Sequence, residues 1–597
     1  MNIVDERLSK LRMVMKEHKI DAYYVPTDDF HMSEYVGDFF KCRKYITGFT
    51  GSAGCAVISQ DAAGLWVDGR YFIQGEEQTK DSSVTLYKQG EPGVPEVHDY
   101  IRDLLKEGQI LGFDGRSVSA SEAAEFGEML EKKHCGFVSD VDLVGEIWEN
   151  RPALSCEPAW ELETKWCGEK RKDKLSRLRE KMEDAGADGM VIGTLDDIAW
   201  LLNIRGNDVP CNPVVLSYLF VGLKKAVLFV REGAFDKKLE ESLNADGIEL
   251  ADYDEIYSWL GKIAERKIWI TDKQINARLA SSLPDEAVRI KKGDPIQLMK
   301  AVKNPVEVSN MKMAHIRDGA AVTRFIFWLK QNVGKMKITE MSAADKLYEF
   351  RSEQDNFIGN SFDPIIAYGE HAAICHYFAT EETDYELKPQ GMVLADTGGQ
   401  YYEGTTDITR TIVLGPVTEE EKKFFTLVLK GHLRLMDAKF RSGVSGINLD
   451  YIAREPLWRI GKDFNHGTGH GVGYFLNVHE GPNGFRWKQM AGRKDSDAFE
   501  PGMITSDEPG YYAEGKFGIR HENLILCKSA GESDGMEFLE FEPITMVPFD
   551  LEGIDPDLLG AEDRELLNSY HRTVYEKITP LLSVEERAML KDATRPI

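Results

Sequence analysis

The sequence predicts two successive α/β domains of one type, followed by a larger domain of mixed α/β and α+β character that carries the chemistry. Three observations point to this architecture. Residues 7–12, Arg-Leu-Ser-Lys-Leu-Arg, recur at 174–179 as Lys-Leu-Ser-Arg-Leu-Arg, a shift of 167 residues. Asn304-Pro305-Val-Glu307 puts Pro at a first helical position with an acid just after it, a helix-start signature that opens a third unit. Seven of the 13 His fall between 371 and 521, interleaved with acids on strand-like segments where acids are otherwise disfavoured.

The echo sets the first two domains. In each copy an amphipathic stretch runs into a β-type segment, Asp21-Ala-Tyr-Tyr-Val or Asp188-Gly-Met-Val-Ile, followed by an acidic pair, Asp28-Asp29 or Asp196-Asp197. A repeat of this length is too long for a solenoid and reads as helix first, strand after, twice over. Strand-like runs follow at Gly54-Cys-Ala-Val-Ile and Lys225-Ala-Val-Leu-Phe-Val, and Pro152 and Pro158 punctuate the junction. The expected boundaries are 1–155, 156–300 and 301–597. In the third unit a long helix is expected to about Asn332, from Met311, Ala314, Ile316, Ala320, Val322, Phe325 and Trp328. A closing helical tail, about 546–597, carries Leu566, Leu567, Tyr570, Val574 and Ile578 at helical spacing.

Composition narrows the function. The 597 residues hold 73 Lys+Arg against 100 Asp+Glu, a formal charge of −27, with 42% hydrophobic residues. That is a folded globular chain. Its acidity argues against nucleic-acid binding and against docking on anionic lipid. No apolar run approaches the roughly 18 residues a membrane helix needs. The start, Met1-Asn-Ile-Val-Asp-Glu-Arg, carries acids where a secretory signal has a basic region. Eight Cys lie 11 or more apart, with no Cys-x-x-Cys pair. A cytoplasmic protein with buried thiols is expected.

The chemistry sits in four segments. Val393-Leu394-Ala395-Asp396 leads into Gly398-Gly399, and Asp407, Thr409 and Thr411 share one face of the return strand, so a hairpin can bring Asp396 and Asp407 together. Adjacent carboxylates repel unless a proton or cation sits between them; for this hairpin alone, a capped turn with a surface Asp reads equally well. In His466-Gly-Thr-Gly-His470-Gly-Val-Gly473 glycine falls at every second position, so an extended chain places His466, Thr468 and His470 on the opposite face. Four glycines are costly in conformational entropy, which favours a functional His470. The remaining segments are Ile504-Thr-Ser-Asp507-Glu508-Pro-Gly510 and Gly518-Ile-Arg520-His521-Glu522, with His479 at a further turn. His479-Glu480 and His521-Glu522 are not zincin motifs, because Asn483 and Ile525 stand where the second His belongs. Four carboxylates and one imidazole form a hard, oxygen-rich set that favours Mn²⁺ and is large enough to bridge two ions. Two ions about 3.5–4 Å apart acidify a shared water and polarise a carbonyl, which is hydrolytic chemistry.

These motifs resemble a known family. Asp396 with Asp407 eleven residues on, Gly467-Thr-Gly-His-Gly-Val-Gly-Tyr-Phe-Leu-Asn-Val-His-Glu-Gly-Pro482, Asp507-Glu508-Pro-Gly-Tyr-Tyr512 and Gly518-Ile-Arg-His-Glu522 look like the pita-bread metallopeptidases. Within them the match is to the Xaa-Pro aminopeptidases (aminopeptidase P) in their large, three-domain cytosolic form. Phe49-Thr-Gly-Ser-Ala-Gly54 and Trp66-Val-Asp-Gly-Arg-Tyr71 are similar to that form's amino-terminal domain, and Leu566-Asn-Ser-Tyr-His571 to its tail.

The resemblance implies two creatinase-like amino-terminal domains and a pita-bread catalytic domain. It implies two divalent ions per chain, Mn²⁺ first with Zn²⁺ or Co²⁺ as alternatives, held by Asp396, Asp407, His470, Glu508 and Glu522. Asp407 and Glu522 would bridge them, and Glu508 would orient a bridging hydroxide. His376, His466 and His479 would line the substrate pocket, with His376 and His479 acting on the reacting carbonyl, and Arg520 would hold ligand carboxylates in place. His521 departs from the family pattern, where an aliphatic residue is usual. The implied substrates are peptides with proline second, whose imide bond has no N–H, and the implied assembly is a homodimer. Prolidases, creatinase-like enzymes and non-catalytic proteins of the same fold are the alternatives; the complete ligand set speaks against the last two.

Overall fold

The computed structural model describes residues 2–489 and 497–597. The chain forms two compact units, Met1–Glu163 with Glu169–Ile296 and Thr164–Gly168 with Gln297–Ile597.

In the first unit the sequence echo becomes architecture. The two echoed segments lie in the helices Ile3–Glu17 and Arg171–Ala185. Leu8, Leu11 and Met15 of the first helix are buried, and so are Leu175, Leu178 and Met182 of the second, each 167 residues on. The 3–4 spacing gives each helix one apolar stripe against its sheet. Each helix feeds a fully buried strand, Ala22–Val25 or Gly189–Ile192. Each strand pairs antiparallel on one side, with Cys55–Ser59 or Ser217–Gly222, and parallel on the other, with Ile110–Gly112 or Lys267–Ile270. Both sheets have six strands in the same order. Asp21 and Asp188, which open the two β-type segments, have one job: the Asp21 carboxylate accepts from the Ile110 amide at 2.8 Å, and that of Asp188 from the Lys267 amide at 3.0 Å. Each thereby caps the start of the parallel neighbour. The two strand-like runs are not counterparts, since Cys55–Ser59 is the strand next to Ala22–Val25, whereas Ala226–Val230 lies one strand further out.

The second unit contains α1 (Pro305–Asn332), α2 (Glu340–Ser352), β1 (Ile365–Tyr368), β2 (Met392–Thr397), β3 (Ile408–Val413) and α3 (Glu419–Met436). There follow β4 (Lys439–Arg441), α4 (Gly446–Trp458), β5 (Gly469–Gly471), β6 (Glu480–Phe485) and β7 (Ile504–Asp507). Further along the chain come β8 (Gly510–Ala513), β9 (Phe517–Arg520), β10 (Asn523–Ser533), β11 (Met536–Pro543) and α5 (Ala561–Ile578). Helix α1 begins as expected: Asn304 accepts from the Val306 and Glu307 amides while Glu307 reaches back to the Asn304 amide, and Pro305 stands inside the first turn. Strands β1-β2-β3 form one antiparallel sheet, β4-β11-β10-β7-β5-β6 a second, and β8-β9 a separate hairpin. The core between them gathers Phe325 and Leu329 of α1, Phe425 and Leu429 of α3, and Leu567, Tyr570, Val574 and Ile578 of α5. Phe549 is buried in that core, and the tail helix starts at Ala561, later than the expected start near 546. It is tied to the hairpin strand by the buried Arg410, which donates to the Tyr570 hydroxyl at 3.0 Å.

Candidate metal centre

The site forms where the ends of three strand pairs meet, and each end has a local cause. Asp396 lies in β2, paired with Thr409 of β3, and Asp407 directly precedes β3. Beneath them the Asp318 carboxylate of α1, fully buried, accepts from Arg351 of α2 at 2.7 Å, from Tyr401 at 3.0 Å and from Thr406 at 2.5 Å. Arg351 also donates to Thr397. This buried network grips the residues next to both acids, Thr397 beside Asp396 and Thr406 beside Asp407.

The glycine run does steric work. A Cβ on Gly469 would stand 1.8 Å from the Ser506 carbonyl oxygen, and one on Gly471 2.2 Å from that of Glu480. Only glycine lets β5 sit this close to β7 and β6, and His470 lies between the two. The strand is three residues long, so the expected common face for His466, Thr468 and His470 does not form. Thr468 turns into the protein and donates to Asp450 at 2.6 Å. His466 and His470 remain close to Glu508, which accepts from the Ser506 hydroxyl at 3.0 Å.

His470 Nδ1 is 2.9 Å from the Gly471 carbonyl oxygen, so its Nε2 faces the acids, 3.2 Å from Glu508 Oε1 and 3.5 Å from Asp407 Oδ2. Asp407, His470 and Glu522 offer ligand atoms that all lie within 4.8 Å of one another. Glu522 is held by Thr409, whose hydroxyl donates at 2.9 Å, while Arg410 donates to its carbonyl. Arg520 donates to Asp396 Oδ2 at 2.5 Å and to the Tyr512 hydroxyl at 2.6 Å. His521 points away, buried, its ring on Phe425 and its Nε2 3.3 Å from the Phe425 carbonyl oxygen. It leaves the acid cluster intact.

The electrostatics are those of acids crowded without solvent. Burial, then the nearby Asp396, pushes Asp407 well above the usual carboxylate range. Burial, then Asp407, does the same to Glu522. Burial also works against charge on Glu508 and His470, but their mutual hydrogen bond and attraction prevail, holding Glu508 down at about 2 and His470 up at about 9. Asp396 Oδ1 is buried with no hydrogen-bond partner among the described residues. An orphaned carboxylate oxygen, two acids that resist ionising side by side and an imidazole aimed at them are what a cation-binding set presents when protons alone neutralise it. The donor set is oxygen-rich and suits hard divalent ions.

Of the expected pocket histidines, His479 packs edge-on against His470 with ring centroids 4.2 Å apart. His466 Nε2 lies 2.8 Å from the Tyr512 hydroxyl, and burial lowers its pKa to about 4. His376 is partly buried on the segment between β1 and β2, next to Cys375, whose carbonyl oxygen lies 3.5 Å from Arg520 Nη2. Tyr512 was not singled out by the sequence, although it ends the Asp507-Glu508-Pro-Gly-Tyr-Tyr motif; it joins His466 to Arg520.

Comparison with known proteins settles the family. Residues 309–529 match the metallopeptidase family M24 model, 7–151 and 150–307 the creatinase/prolidase N-terminal domain, and 537–597 the C-terminal region of peptidase M24. Aminopeptidase P2 of Arabidopsis thaliana is 40% identical, with 100% of this chain and 89% of that protein aligned. This chain belongs to the Xaa-Pro aminopeptidases of metallopeptidase family M24. Another relative in this family is a probable Xaa-Pro aminopeptidase P of Laccaria bicolor, 39% identical over 98% of the chain and 92% of that protein. Among solved structures, an X-prolyl aminopeptidase from Caenorhabditis elegans, described as a cytosolic enzyme with a di-nuclear active site, superposes over the whole of both chains with a TM-score of 0.95 at 35% identity. A Xaa-Pro dipeptidase from Bacillus anthracis covers 64% of this Xaa-Pro aminopeptidase chain and 99% of its own, with a TM-score of 0.50 at 25% identity. Among the described residues, no helix is long and apolar enough to cross a membrane.

Proposed function

We propose that this Xaa-Pro aminopeptidase works in the cytosol as a homodimer. It hydrolyses the bond before a proline at the second position of a peptide, using two divalent ions, Mn²⁺ by preference. The observation that carries this reading is the convergence of Asp407, His470 and Glu522 within 4.8 Å, beside a buried Asp396 oxygen that has no hydrogen-bond partner among the described residues.

In this reading Asp396, Asp407, His470, Glu508 and Glu522 would hold the ions, with Asp407 and Glu522 serving both, Asp396 one, and His470 and Glu508 the other. When bound, the ions would lower the pKa of a water into the neutral range and polarise the scissile carbonyl. The chain's own groups do the rest. Glu508 is the base that orients the attacking hydroxide. His470, fixed by the Gly471 carbonyl, keeps Nε2 turned to the acids. Arg520 neutralises and aims Asp396. His376 contacts the scissile carbonyl, His466 the substrate backbone and His479 the tetrahedral intermediate.

Asp407→Asn and Glu522→Gln test the assignment. Each abolishes release of arginine from Arg-Pro-Pro while leaving far-UV circular dichroism unchanged. Near-normal turnover by either variant would sink the bridging role. Comparison of Xaa-Pro dipeptides with tripeptides separates this activity from that of a dipeptidase.

A further inference from the structure

The loop that carries His376 is gripped by a carboxylate outside the metal centre. Glu340 is the first residue of α2 and its side chain is fully buried. Its Oε1 accepts from the Tyr368 amide at 2.8 Å and lies 3.0 Å from His371 Nδ1. Its Oε2 accepts from the Tyr377 hydroxyl at 2.8 Å and from the Tyr385 amide at 3.1 Å, and lies 3.1 Å from the same His371 nitrogen. The His371 ring is stacked between two tyrosines, with centroids 3.8 Å from Tyr385 and 4.3 Å from Tyr377. Tyr385 is itself zipped to the start of α2, its carbonyl oxygen accepting from the Glu340 amide at 3.0 Å.

His371 and Tyr377 bracket the segment 372–376, and both are tied to one buried carboxylate. The other side of that segment faces the site. A Cβ on Gly518 of β9 would stand 1.7 Å from the Ala372 carbonyl oxygen, so the strand presses on the loop. The Cys375 carbonyl oxygen lies by Arg520, the partner of Asp396. A burial this deep for an acid with four separate donors is costly unless all of them converge, and convergence makes the geometry rigid.

We propose that Glu340, with His371 and Tyr377, is a positioning clamp that sets where His376 meets the peptide, a role that rests on the function proposed above. None of the three touches substrate; they act through the loop. A loop displaced by about 1 Å can cost on the order of a hundredfold in rate.

The Mn²⁺-loaded full chain, its Glu340→Gln variant, His376→Ala and the double variant test this as a cycle, with Arg-Pro-Pro as substrate. Glu340→Gln keeps the volume, but whichever way the amide lies its NH₂ meets N–H or O–H donors. Glu340→Gln lowers kcat at least about tenfold with Mn²⁺ content unchanged, and on the His376→Ala background the same change costs less than about twofold. Should Glu340→Gln not fold, Tyr377→Phe takes its place in the cycle, with a smaller loss that likewise vanishes beside His376→Ala. Losses that multiply, or loss of Mn²⁺ in the Glu340 variant, overturn the clamp. A wild-type chain that releases no arginine overturns the functional reading itself, and the clamp's purpose with it.

Discussion

Asp318 and Arg351 form an ion pair 2.7 Å long, at 0% and 1% side-chain exposure, directly under the strand ends that carry Asp396 and Asp407. The pair shares its remaining capacity with Tyr401, Thr397 and Thr406, so it is wired to the hairpin and not merely placed beside it. Removing one partner of such a pair strands a buried charge, at a cost of about 3–5 kcal/mol. Arg351→Met is therefore expected to lower the unfolding free energy of the catalytic unit by that amount in urea titrations, and to weaken activity through the misplaced acids. A loss under about 1 kcal/mol would contradict the wiring.

Arg520 holds Asp396 and Tyr512 at once. Groups that orient metal ligands typically contribute 10–100-fold in metal affinity. Arg520→Gln is expected to weaken Mn²⁺ binding within roughly that range, read by calorimetric titration, with the fold intact by circular dichroism. Lysine should rescue little, because a point charge cannot span two acceptors as the guanidinium fork does.

Gly469 has no room for a methyl group against Ser506. Gly469→Ala forces β5 away from β7 and carries His470 with it, so the variant is expected to lose Mn²⁺-dependent turnover even where it remains soluble. Gly515, whose added Cβ would meet nothing within 4 Å but whose φ is +68°, is the control. Its alanine variant should lose a little stability and keep activity, measured by melting temperature and tripeptide turnover side by side.

Asp407 is held above its ordinary range by burial and then by Asp396, Glu522 by burial and then by Asp407, and His470 is held at about 9 by Glu508. All three are raised groups. Their contribution to the stability of the metal-free chain is fully present below their unfolded values and is lost as pH rises, through about 9 for His470. Ions that replace those protons must release them. Mn²⁺ binding is therefore expected to tighten between roughly pH 6 and 9, and the gain in melting temperature on adding Mn²⁺ to grow over the same window. Calorimetry in buffers of different ionisation enthalpy counts the protons. A metal effect that does not change with pH would contradict the cluster's electrostatics.

Much of this molecule was legible in the chain. The echo of residues 7–12 at 174–179 carried the helix, its buried stripe and the strand that follows, because all three obey local periodicity and recur at one offset. The cap at Asn304 and the hairpin acids were legible for the same reason. The capping by Asp21 and Asp188 depends on a neighbouring strand and was not legible. The spacing of glycines between 467 and 473 pointed to His470, yet their cause lies in Ser506 and Glu480, which approach from distant strands. An extended-strand reading misplaced Thr468 because periodicity cannot say where a strand stops; here it stops within three residues and Thr468 pairs with Asp450. Tyr512, Glu340 and His371 gave no signal. A tyrosine near a turn, an acid at a helix start and a histidine in a short 3₁₀ turn each look ordinary until tertiary structure gathers their partners.

In the function proposed here, five side chains on separate strand ends hold two ions that drive hydrolysis before proline. Titrating metal-stripped protein with Mn²⁺ while following arginine release from Arg-Pro-Pro tests it most directly. Turnover should be absent without metal and saturate at two ions per chain. Metal-independent turnover, or full activity at a single ion, would contradict it.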